Sequence, residues 1–355
     1  AQDDLSVPFD GWPRCCQDCA QVAMKVSVIV LSYNSEDTIM RALDSVAAQK
    51  CGFEWEIVVG DDGSTDRTRE VIENYARSHP ELRFRLLFSD TNRGVQANYF
   101  DCLEAATGEY IADCAADDAW TGDGRLSSFV KELDANPDAA WAFSDWTSVD
   151  AVTGLRHLIR PALTRNVDCG EMQELLLECQ SRPAMHLSAC VYRKSSLMPY
   201  YARFRDDLFR NQSYCCEDFQ ILMTLAAAGR GLYMPVSTLD YTVGGESITS
   251  QHSALRAARF ALGTLRLRLD LAARYGLMKH KSVGASLALQ YHYALSQAII
   301  SGDDACMCDA NNLWYRLPTR PMRTLLLRLL LALPGGKRFV RGIKNIMSRR
   351  MFIII

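Results

Sequence analysis

The first half of the chain alternates short apolar runs with longer segments in which apolar residues recur every three or four positions. The runs predict buried strands over residues 26–31, 56–60, 84–88 and 109–112. The segments between them predict helices, with inner faces at Ile39, Leu43 and Val46, at Val71, Ile72 and Tyr75, and over residues 95–106. We expect Asn34 or Ser35 to cap the first helix and Ser64 or Thr65 to cap the second. Strands that alternate with helices indicate an α/β fold with a mostly parallel, Rossmann-like sheet and flanking helices.

The alternation weakens beyond residue 140. Strands are predicted over residues 140–146 and 188–193, and helices over residues 171–179, 218–228, 254–275 and 283–300. This change of pattern divides the chain into an N-terminal extension (1–24), an α/β domain (25–250), a helical C-terminal extension (251–310) and a basic tail (311–355).

Charge is distributed unevenly along the chain. The 355 residues carry 39 basic and 42 acidic side chains, a net charge of -3. Residues 310–355 contain 10 of the Lys and Arg residues and no Asp or Glu. In residues 337–355 cations and apolar residues recur at helical spacing, which predicts a basic amphipathic helix in peripheral contact with an anionic membrane. Packing against the α/β domain or a second subunit is the alternative.

Composition indicates a cytoplasmic protein held peripherally at the cytoplasmic face of the membrane. The most apolar stretch, Leu325–Leu333, is too short for a membrane span, and residues 1–20 lack the pattern of a secretory signal. The 13 cysteines are an odd number and many lie in apolar segments, which favours a reducing compartment over a disulfide framework. Metal binding by the Cys15, Cys16 and Cys19 cluster is not favoured, because no second pair follows at zinc-finger spacing.

Polar residues cluster where three of the predicted strands end. Ser32-Tyr33-Asn34 follows the first strand, Asp61-Asp62-Gly63-Ser64-Thr65-Asp66 the second, and Asp117-Asp118 the fourth. Open α/β sheets bind ligands beyond the carboxyl ends of their strands, so these loops form the candidate site. Adjacent carboxylates suit a divalent cation with a bound diphosphate, and a carboxylate after the second strand suits the N–H of a base such as uracil. Solvated loop carboxylates and a helix cap are the alternatives.

Five motifs in this order resemble those of family 2 glycosyltransferases, which have the GT-A fold. They are residues 26–34, residues 61–66, Asn92-Arg93-Gly94-Val95, Gly108-Glu109-Tyr110-Ile111-Ala112 and Asp117-Asp118-Ala119-Trp120. The resemblance covers about residues 25–250. It implies a nucleotide-sugar donor, most often a UDP-sugar, and a divalent metal, Mn²⁺ or Mg²⁺.

The resemblance also implies roles for the residues of the three loops. Asp62 would contact the uracil with help from Ser32, Tyr33 and Asn34, Asp117 would hold the ribose or the metal, and Asp118 would bind the metal. Asn98 matches a polar position on the helix that follows the Asn-x-Gly turn. Packing of the helix start is the alternative role for Asn98.

A later Glu-Asp pair supplies the catalytic base in this family, and Glu217-Asp218 matches it. Asp218 would accept the proton of the attacking hydroxyl in an inverting displacement, with Glu217 beside it. Acids at a helix start also interact favourably with the helix dipole, which is the structural alternative. His186 precedes a predicted strand in the region that shapes the donor pocket, where it would contact a phosphate or hydroxyl. A histidine satisfied by packing is the alternative.

Two departures from the family pattern predict a metal site with few protein ligands. Many members have an acidic residue just before the Asp-Asp pair, whereas this chain has Ala115 and Ala116 there and an unusual Asp113 upstream. The family also often has Tyr-x-x-His after the base helix, and here Gly244 stands at the His position.

Together these features predict a glycosyltransferase that transfers a sugar from a UDP-sugar to a hydroxyl of a lipid-linked or cell-surface polysaccharide acceptor. Two rivals stay open. A nucleotidyltransferase would need a Gly-rich or basic loop after the first strand, which residues 32–35 do not provide. An inactive GT-A-like scaffold would explain Ala115 and Gly244, but the acids at 62, 117, 118 and 218 argue against it. We expect no nucleic-acid partner, because the body is acidic and the tail lacks interleaved aromatics.

Overall fold

The computed structural model describes residues 24–161, 163–171, 173, 177, 185–244 and 253–332. The described strands are β1 (Val26–Ser32), β2 (Trp55–Asp61), β3 (Phe84–Phe88), β4 (Tyr110–Ala115), β5 (Ala119–Trp120), β6 (Ala139–Asp150), β7 (Arg156–Ile159), β8 (Cys190–Arg193) and β9 (Arg230–Val243). The described α-helices are α1 (Ile39–Ala47), α2 (Thr68–Ser78), α3 (Val95–Ala105), α4 (Arg125–Ala135), α5 (Lys194–Phe204), α6 (Asp218–Ala228), α7 (Ala254–Arg274), α8 (Lys281–Ser301), α9 (Asp304–Arg316) and α10 (Met322–Ala332).

These strands form one mixed sheet in the order β3-β2-β1-β4-β8-β6-β9-β5, with β7 on the far part of β6. The first four strands are parallel, and their register places Ser32 opposite Asp61 and Leu31 opposite Ala115. Strand β8 is antiparallel to β4 and β6, whereas β9 runs parallel to β6. The carboxyl ends of β1, β2 and β4 therefore share one edge, as the sequence predicts.

The two helix caps predicted near the start of the chain are wrong. Helix α1 begins at Ile39 and α2 at Thr68, and no side chain caps either. The polar residues instead link the two loops: Ser64 Oγ accepts the Asn34 N–H at 2.9 Å, and Asn34 Oδ1 accepts the Thr65 N–H at 2.8 Å. Asn34 takes a left-handed conformation with φ 49°, which asparagine tolerates better than most residues.

Both faces of the sheet are covered because side chains alternate along each buried strand. Val28 and Val30 pack with α1, α2 and α4, while Ile29 enters the cluster formed by α3, α6 and the C-terminal helices. The buried Arg125 joins the two halves of the sheet. Its guanidinium donates to the carbonyls of Ser188, Cys190 and Thr238 at 2.6, 3.1 and 3.2 Å.

The C-terminal helices α7 to α9 extend the same core, as shown by Tyr291 and Trp314, whose rings lie 5.3 Å apart. Helix α9 crosses the predicted boundary at residue 310. The tail segment 337–355, the extension 1–23 and most of the helix predicted over 171–179 lie outside the described residues. None of the described helices combines the length and apolar composition needed to cross a bilayer.

Candidate active site

The loop after β2 is held by the side chain of Asp61, which is fully buried. Its carboxylate accepts bonds from Ser32 Oγ (3.1 Å), the Ser64 N–H (3.0 Å) and Arg69 Nε (2.8 Å). Burial of a charge is tolerated when it is paired and hydrogen-bonded, as here. The Ser32 hydroxyl, a predicted donor-binding group, is thus bonded to Asp61 and buried.

Asp62 fixes the turn that begins α3. The Arg93 N–H donates to Asp62 Oδ1 and the Gly94 N–H to Oδ2, both at 2.8 Å, and the side chain is buried. Each carboxylate oxygen keeps a second lone pair. The structure therefore places the carboxylate predicted to bind uracil beneath the Asn-x-Gly turn, where it joins β2 to α3.

Tyr33 and Asn34 form the open rim of this region. Tyr33 is 46% exposed, whereas Ser32 is buried. Asn34 is also exposed, and its amide oxygen is used by the loop after β2. A ring held at such a rim is free to stack on a planar ligand.

Asn98 lies deeper than the loops. Its side chain is buried, and Nδ2 donates to the carbonyl of Gly60 at 3.0 Å. A Cβ at residue 60 would overlap Asn98 Oδ1 and Cys102 Sγ, so glycine allows α3 to pack closely on β2. This contact is the packing role considered for Asn98, and its donor-binding role stays a prediction.

Asp117 and Asp118 occupy the turn between β4 and β5. Asp118 is fully buried: Oδ1 accepts the Thr242 N–H at 3.0 Å, while Oδ2 has no hydrogen-bond partner among the described residues. Burial, with the neighbouring Asp117 charge, raises the pKa of Asp118 to about 8. Asp117 is exposed, yet desolvation also raises its pKa. A buried oxygen without a partner, beside a second carboxylate, is a position that a cation would stabilise.

Two residues that the sequence did not single out hold this turn in place. Arg41, on α1, donates to the Asp117 carbonyl and to Thr242 Oγ1, the latter at 2.9 Å. Thr242 Oγ1 in turn donates to the same carbonyl. The guanidinium is exposed and lowers the pKa of both carboxyls by its charge, although desolvation prevails. No sequence signal reveals Arg41, because its position follows from the docking of α1.

The two acidic residues that supply the predicted catalytic base lie at the start of α6. Glu217 precedes the helix and is half-buried, and Asp218 is its exposed first residue. Desolvation, followed by the charges of Asp218 and Asp113, raises the pKa of Glu217. Asp218 Oδ1 accepts the N–H of Phe219 at 2.6 Å. Of the two acids, Asp218 is the one open to solvent at a helix N-terminus, where a carboxylate is favoured.

His186 packs against two aromatic rings. Its ring centre is 4.4 Å from that of Tyr241 and 6.1 Å from that of Trp146. Nδ1 accepts the Ser188 N–H at 3.3 Å. Desolvation lowers the pKa of His186 to about 4, against the opposing effect of Asp218, so the imidazole is neutral at pH 7. The ring is packed, as the alternative proposed, and its contact with a phosphate or hydroxyl stays a prediction.

Asp113 lies beneath the site on β4. It is 6% exposed, and among the described residues neither carboxylate oxygen has a hydrogen-bond partner. Burial and the charge of Asp113 raise the pKa of the Tyr99 and Tyr192 hydroxyls, which are 2.6 Å apart. Desolvation raises the pKa of Asp113 to about 7.

Residues 27–200 match the family model described as glycosyl transferase family 2. The chain carries a family 2 glycosyltransferase domain. The protein Rv1520 of Mycobacterium tuberculosis is 46% identical over 118 residues, which are 33% of this chain and 34% of that protein. TuaG of Bacillus subtilis, a putative teichuronic acid biosynthesis glycosyltransferase, is 34% identical over 119 residues, 34% of this chain and 44% of that protein. This chain thus matches less than half the length of either relative.

The crystal structure of S. aureus TarS 1–349 in complex with UDP-GlcNAc resembles this glycosyltransferase domain and its helical extension. The TM-score is 0.52 at 20% identity, over 80% of this chain and 83% of that one. Together with the family match, this confirms the predicted fold class: a GT-A-like α/β fold with a curled mixed sheet, flanking helices and a C-terminal helical region.

The metal site that the sequence predicts has few candidate ligands among the described residues. Within the part of the chain that the structure describes, no group of three or more His, Cys, Asp or Glu side chains is placed to hold a metal ion. Gly244 has φ +91°, a conformation that strains any L side chain, so its backbone does not suit a histidine ligand. The carboxylates of Asp117 and Asp118 nevertheless fit a divalent cation, because both are oxygen donors and one buried oxygen lacks a partner.

Proposed function

We propose that this chain transfers a sugar, with inversion, from a UDP-sugar to a hydroxyl of a lipid-linked or cell-surface polysaccharide acceptor. The observation that carries the proposal is the sharing of one sheet edge by the loops that hold Asp62, Asp117 and Asp118. The family match and the glycosyltransferase names of relatives support transfer chemistry over an inactive scaffold.

Donor binding begins at the loops after β1 and β2. The Asp62 carboxylate has free lone pairs for the uracil N–H while it holds the turn at Gly94. Tyr33 is open for stacking, and Ser32 and Asn34 support the loop. The UDP-GlcNAc named in the TarS complex is consistent with a UDP-sugar, although the likeness itself concerns the fold.

The diphosphate would lie at the turn of Asp117 and Asp118, close to Arg41. These carboxylates would hold Mn²⁺ or Mg²⁺, which when bound neutralises the departing nucleoside diphosphate. The exposed Arg41 guanidinium supplies a further positive charge at the same turn.

Proton transfer is assigned to Asp218. As the acceptor oxygen forms its bond to the anomeric carbon, the bond from that carbon to the diphosphate oxygen breaks, and the hydroxyl proton passes to the Asp218 carboxylate. Glu217 is less suited to this role, because burial favours its protonated form. The neutral His186 is suited to donate a hydrogen bond from Nε2 to a hydroxyl or phosphate oxygen.

The proposed acceptor is a lipid-linked or cell-surface polysaccharide. TuaG is named for teichuronic acid biosynthesis, which supports a polysaccharide acceptor. Contact of residues 337–355 with an anionic membrane would bring a lipid-linked acceptor to the site. Deletion of these residues should lower the membrane-bound fraction of the protein, and an unchanged distribution would contradict the contact.

The experiment that tests this function uses water as the acceptor. UDP release from UDP-sugars should be measurable with wild-type protein and Mn²⁺, and should fall by at least about a hundredfold in Asp218→Asn. UDP affinity should stay within about threefold of wild type in that variant, because Asp218 lies outside the donor loops. Asp206→Asn, at another exposed acid, is the matched control. Release by Asp218→Asn at the wild-type rate would contradict the assignment of the base.

A further inference from the structure

Helix α10 exposes a continuous apolar row. Met322, Leu325, Leu326 and Leu329 are 69%, 37%, 55% and 57% exposed. Their spacing of three and four residues places all of them on one face of the helix. A run of large apolar side chains on a surface helix marks a contact site for an apolar partner.

Hydrogen bonds on the other side of α10 fix the direction of this row. Thr324 is buried and its hydroxyl lies 3.2 Å from Nδ1 of His292 on α8. Arg328 donates to Tyr291 Oη and to Asn311 Oδ1, each at 2.8 Å. Because these contacts anchor one side of α10 to α8 and α9, the apolar row faces away from the fold.

The neighbouring helices also expose large side chains. Leu289 and Tyr293, one turn apart on α8, are 60% and 59% exposed, and Tyr315 on α9 is 71% exposed. Tyr293 follows His292, the residue bonded to α10. Tyrosines beside exposed leucines are typical of surfaces that meet a membrane interface.

The C-terminal segment that includes α10 carries charges of a single sign. Residues 310–355 contain ten Lys or Arg residues and no acid. Arg320, just before α10, is exposed and extends over the rings of Trp314 and Tyr315 at 5.8 and 5.9 Å. A guanidinium supported on aromatic rings next to an apolar row is suited to an anionic headgroup.

We propose that the apolar row of α10 lies in the interface of an anionic lipid bilayer, with Arg320 at the level of the headgroups. The charge decides between the possible occupants of this face. Residues 337–355 and a second copy of the same face would both bring more positive charge, which Arg320 would repel. An anionic bilayer accepts the leucines and neutralises the cations at the same time.

This surface is separate from the membrane contact proposed above for residues 337–355, and it does not depend on sugar transfer. It places a membrane contact within the folded helical region, anchored to α8 and α9. A protein held by α10 would keep a fixed orientation on the bilayer, because α10 is bonded to the core rather than joined by a linker.

Vesicle flotation of the full chain tests the surface. Wild type should float with phosphatidylcholine vesicles that contain phosphatidylglycerol, and to a much smaller extent with phosphatidylcholine alone. Leu326→Glu/Leu329→Glu should reduce the bound fraction by about tenfold, and the milder Leu326→Ser/Leu329→Ser should give an intermediate loss. The matched control is Val152→Glu/Leu155→Glu, which changes two apolar residues that are 83% and 60% exposed in the β6–β7 turn.

Several results would overturn the proposal. Wild-type binding by the α10 variants would exclude this face as the lipid contact. A dimeric wild type that becomes monomeric in the α10 variants would show that a second copy covers it. A loss of binding in the control variant equal to that in the α10 variants would show a nonspecific charge effect. UDP release by the α10 variants reports separately on sugar transfer, so failure of one proposal does not imply failure of the other.

Discussion

The backbone N–H of Thr242 donates to Asp118 Oδ1 at 3.0 Å, while Oδ2 of the same carboxylate is buried and has no partner within the described part of the chain. This bond joins the end of β9 to the turn after β4, 124 residues apart in the chain. It orients the side chain so that one oxygen is satisfied by the protein and the other is left for a ligand. The geometry of the proposed metal site therefore depends on β9 as well as on the Asp-Asp motif.

Arg41 should contribute to nucleotide binding with little effect on stability. Arg41→Ala removes an exposed cation at the Asp117 turn, so UDP affinity should fall by about tenfold, with a smaller loss for Arg41→Lys. Calorimetric titration measures the affinity and thermal unfolding the stability. Arg83→Ala is the control, because Arg83 is exposed and lies just before β3, at the end of that strand away from the site. Equal affinity in Arg41→Ala and Arg83→Ala would refute the assignment.

Asp62 should affect both folding and binding. Asp62→Ala leaves the N–H groups of Arg93 and Gly94 without their acceptors, which should lower the free energy of unfolding by about 1–3 kcal/mol. UDP affinity should fall as well, because the loop and the uracil contact are lost together. Urea unfolding measures the first effect and calorimetry the second. Asp90→Ala, at an exposed carboxylate, is the control and should change neither the stability nor the UDP affinity. Unchanged stability in Asp62→Ala would show that the Asp62 carboxylate does not stabilise the turn.

The sequence predicted the parallel half of the sheet because β-branched and apolar runs are a strong local signal. Strand β3 and helix α6 have the predicted bounds, and Gly229 marks the end of α6. The motif loops were also located correctly at the strand ends. Their local bonding was not, since Asn34 and Ser64 bond across two loops instead of capping helices, a choice that depends on tertiary contact.

The second half of the site could not be predicted from local pattern. Strand β9 is 14 residues long, contains Pro235 and pairs with β6 through register shifts, so its alternation is broken. The contact between Thr242 and Asp118 lies directly beyond the pairing of β9 with the two-residue strand β5. The burial of Asp113 could not be predicted either, because an acidic residue in a strand normally faces solvent.

Close packing of α3 on β2 should make Gly60 sensitive to a single methyl group. In Gly60→Ala the new Cβ would overlap Asn98 Oδ1 and Cys102 Sγ, so α3 must shift. The expected loss is about 1–3 kcal/mol in the free energy of unfolding. Gly52→Ala is the matched control, because nothing lies within 4 Å of its added Cβ. Urea unfolding of the two variants compares them, and equal stabilities would contradict this packing.

Asp113 should make stability fall as pH rises. Its pKa is raised from 3.8 to about 7 in the folded chain, so the folded state binds the proton more tightly than the unfolded state. The stabilisation from this proton is complete below about pH 4 and is lost as the pH rises towards 7. Asp113→Asn should remove this contribution and gain about 1–3 kcal/mol over wild type at pH 8.

Urea unfolding at several values between pH 4 and pH 8 measures the difference between Asp113→Asn and wild type. The difference isolates Asp113, because the other titrating groups are present in both proteins. Asp123→Asn, at an exposed carboxylate paired with Lys50, should show no gain at pH 8. An Asp113→Asn variant less stable than wild type at pH 8 would show that the ionised carboxylate is the form the fold requires.

Calorimetric titration of UDP into the full chain, with and without Mn²⁺, tests the central claim most directly. Wild type should bind UDP at least about tenfold more tightly with Mn²⁺ and more tightly than GDP or CMP, whereas Asp118→Asn should lose the metal dependence and Asp123→Asn should retain it. Absence of UDP binding to wild type in the presence of Mn²⁺ would contradict a UDP-sugar transferase, and full metal dependence in Asp118→Asn would contradict the proposed role of its unpartnered oxygen.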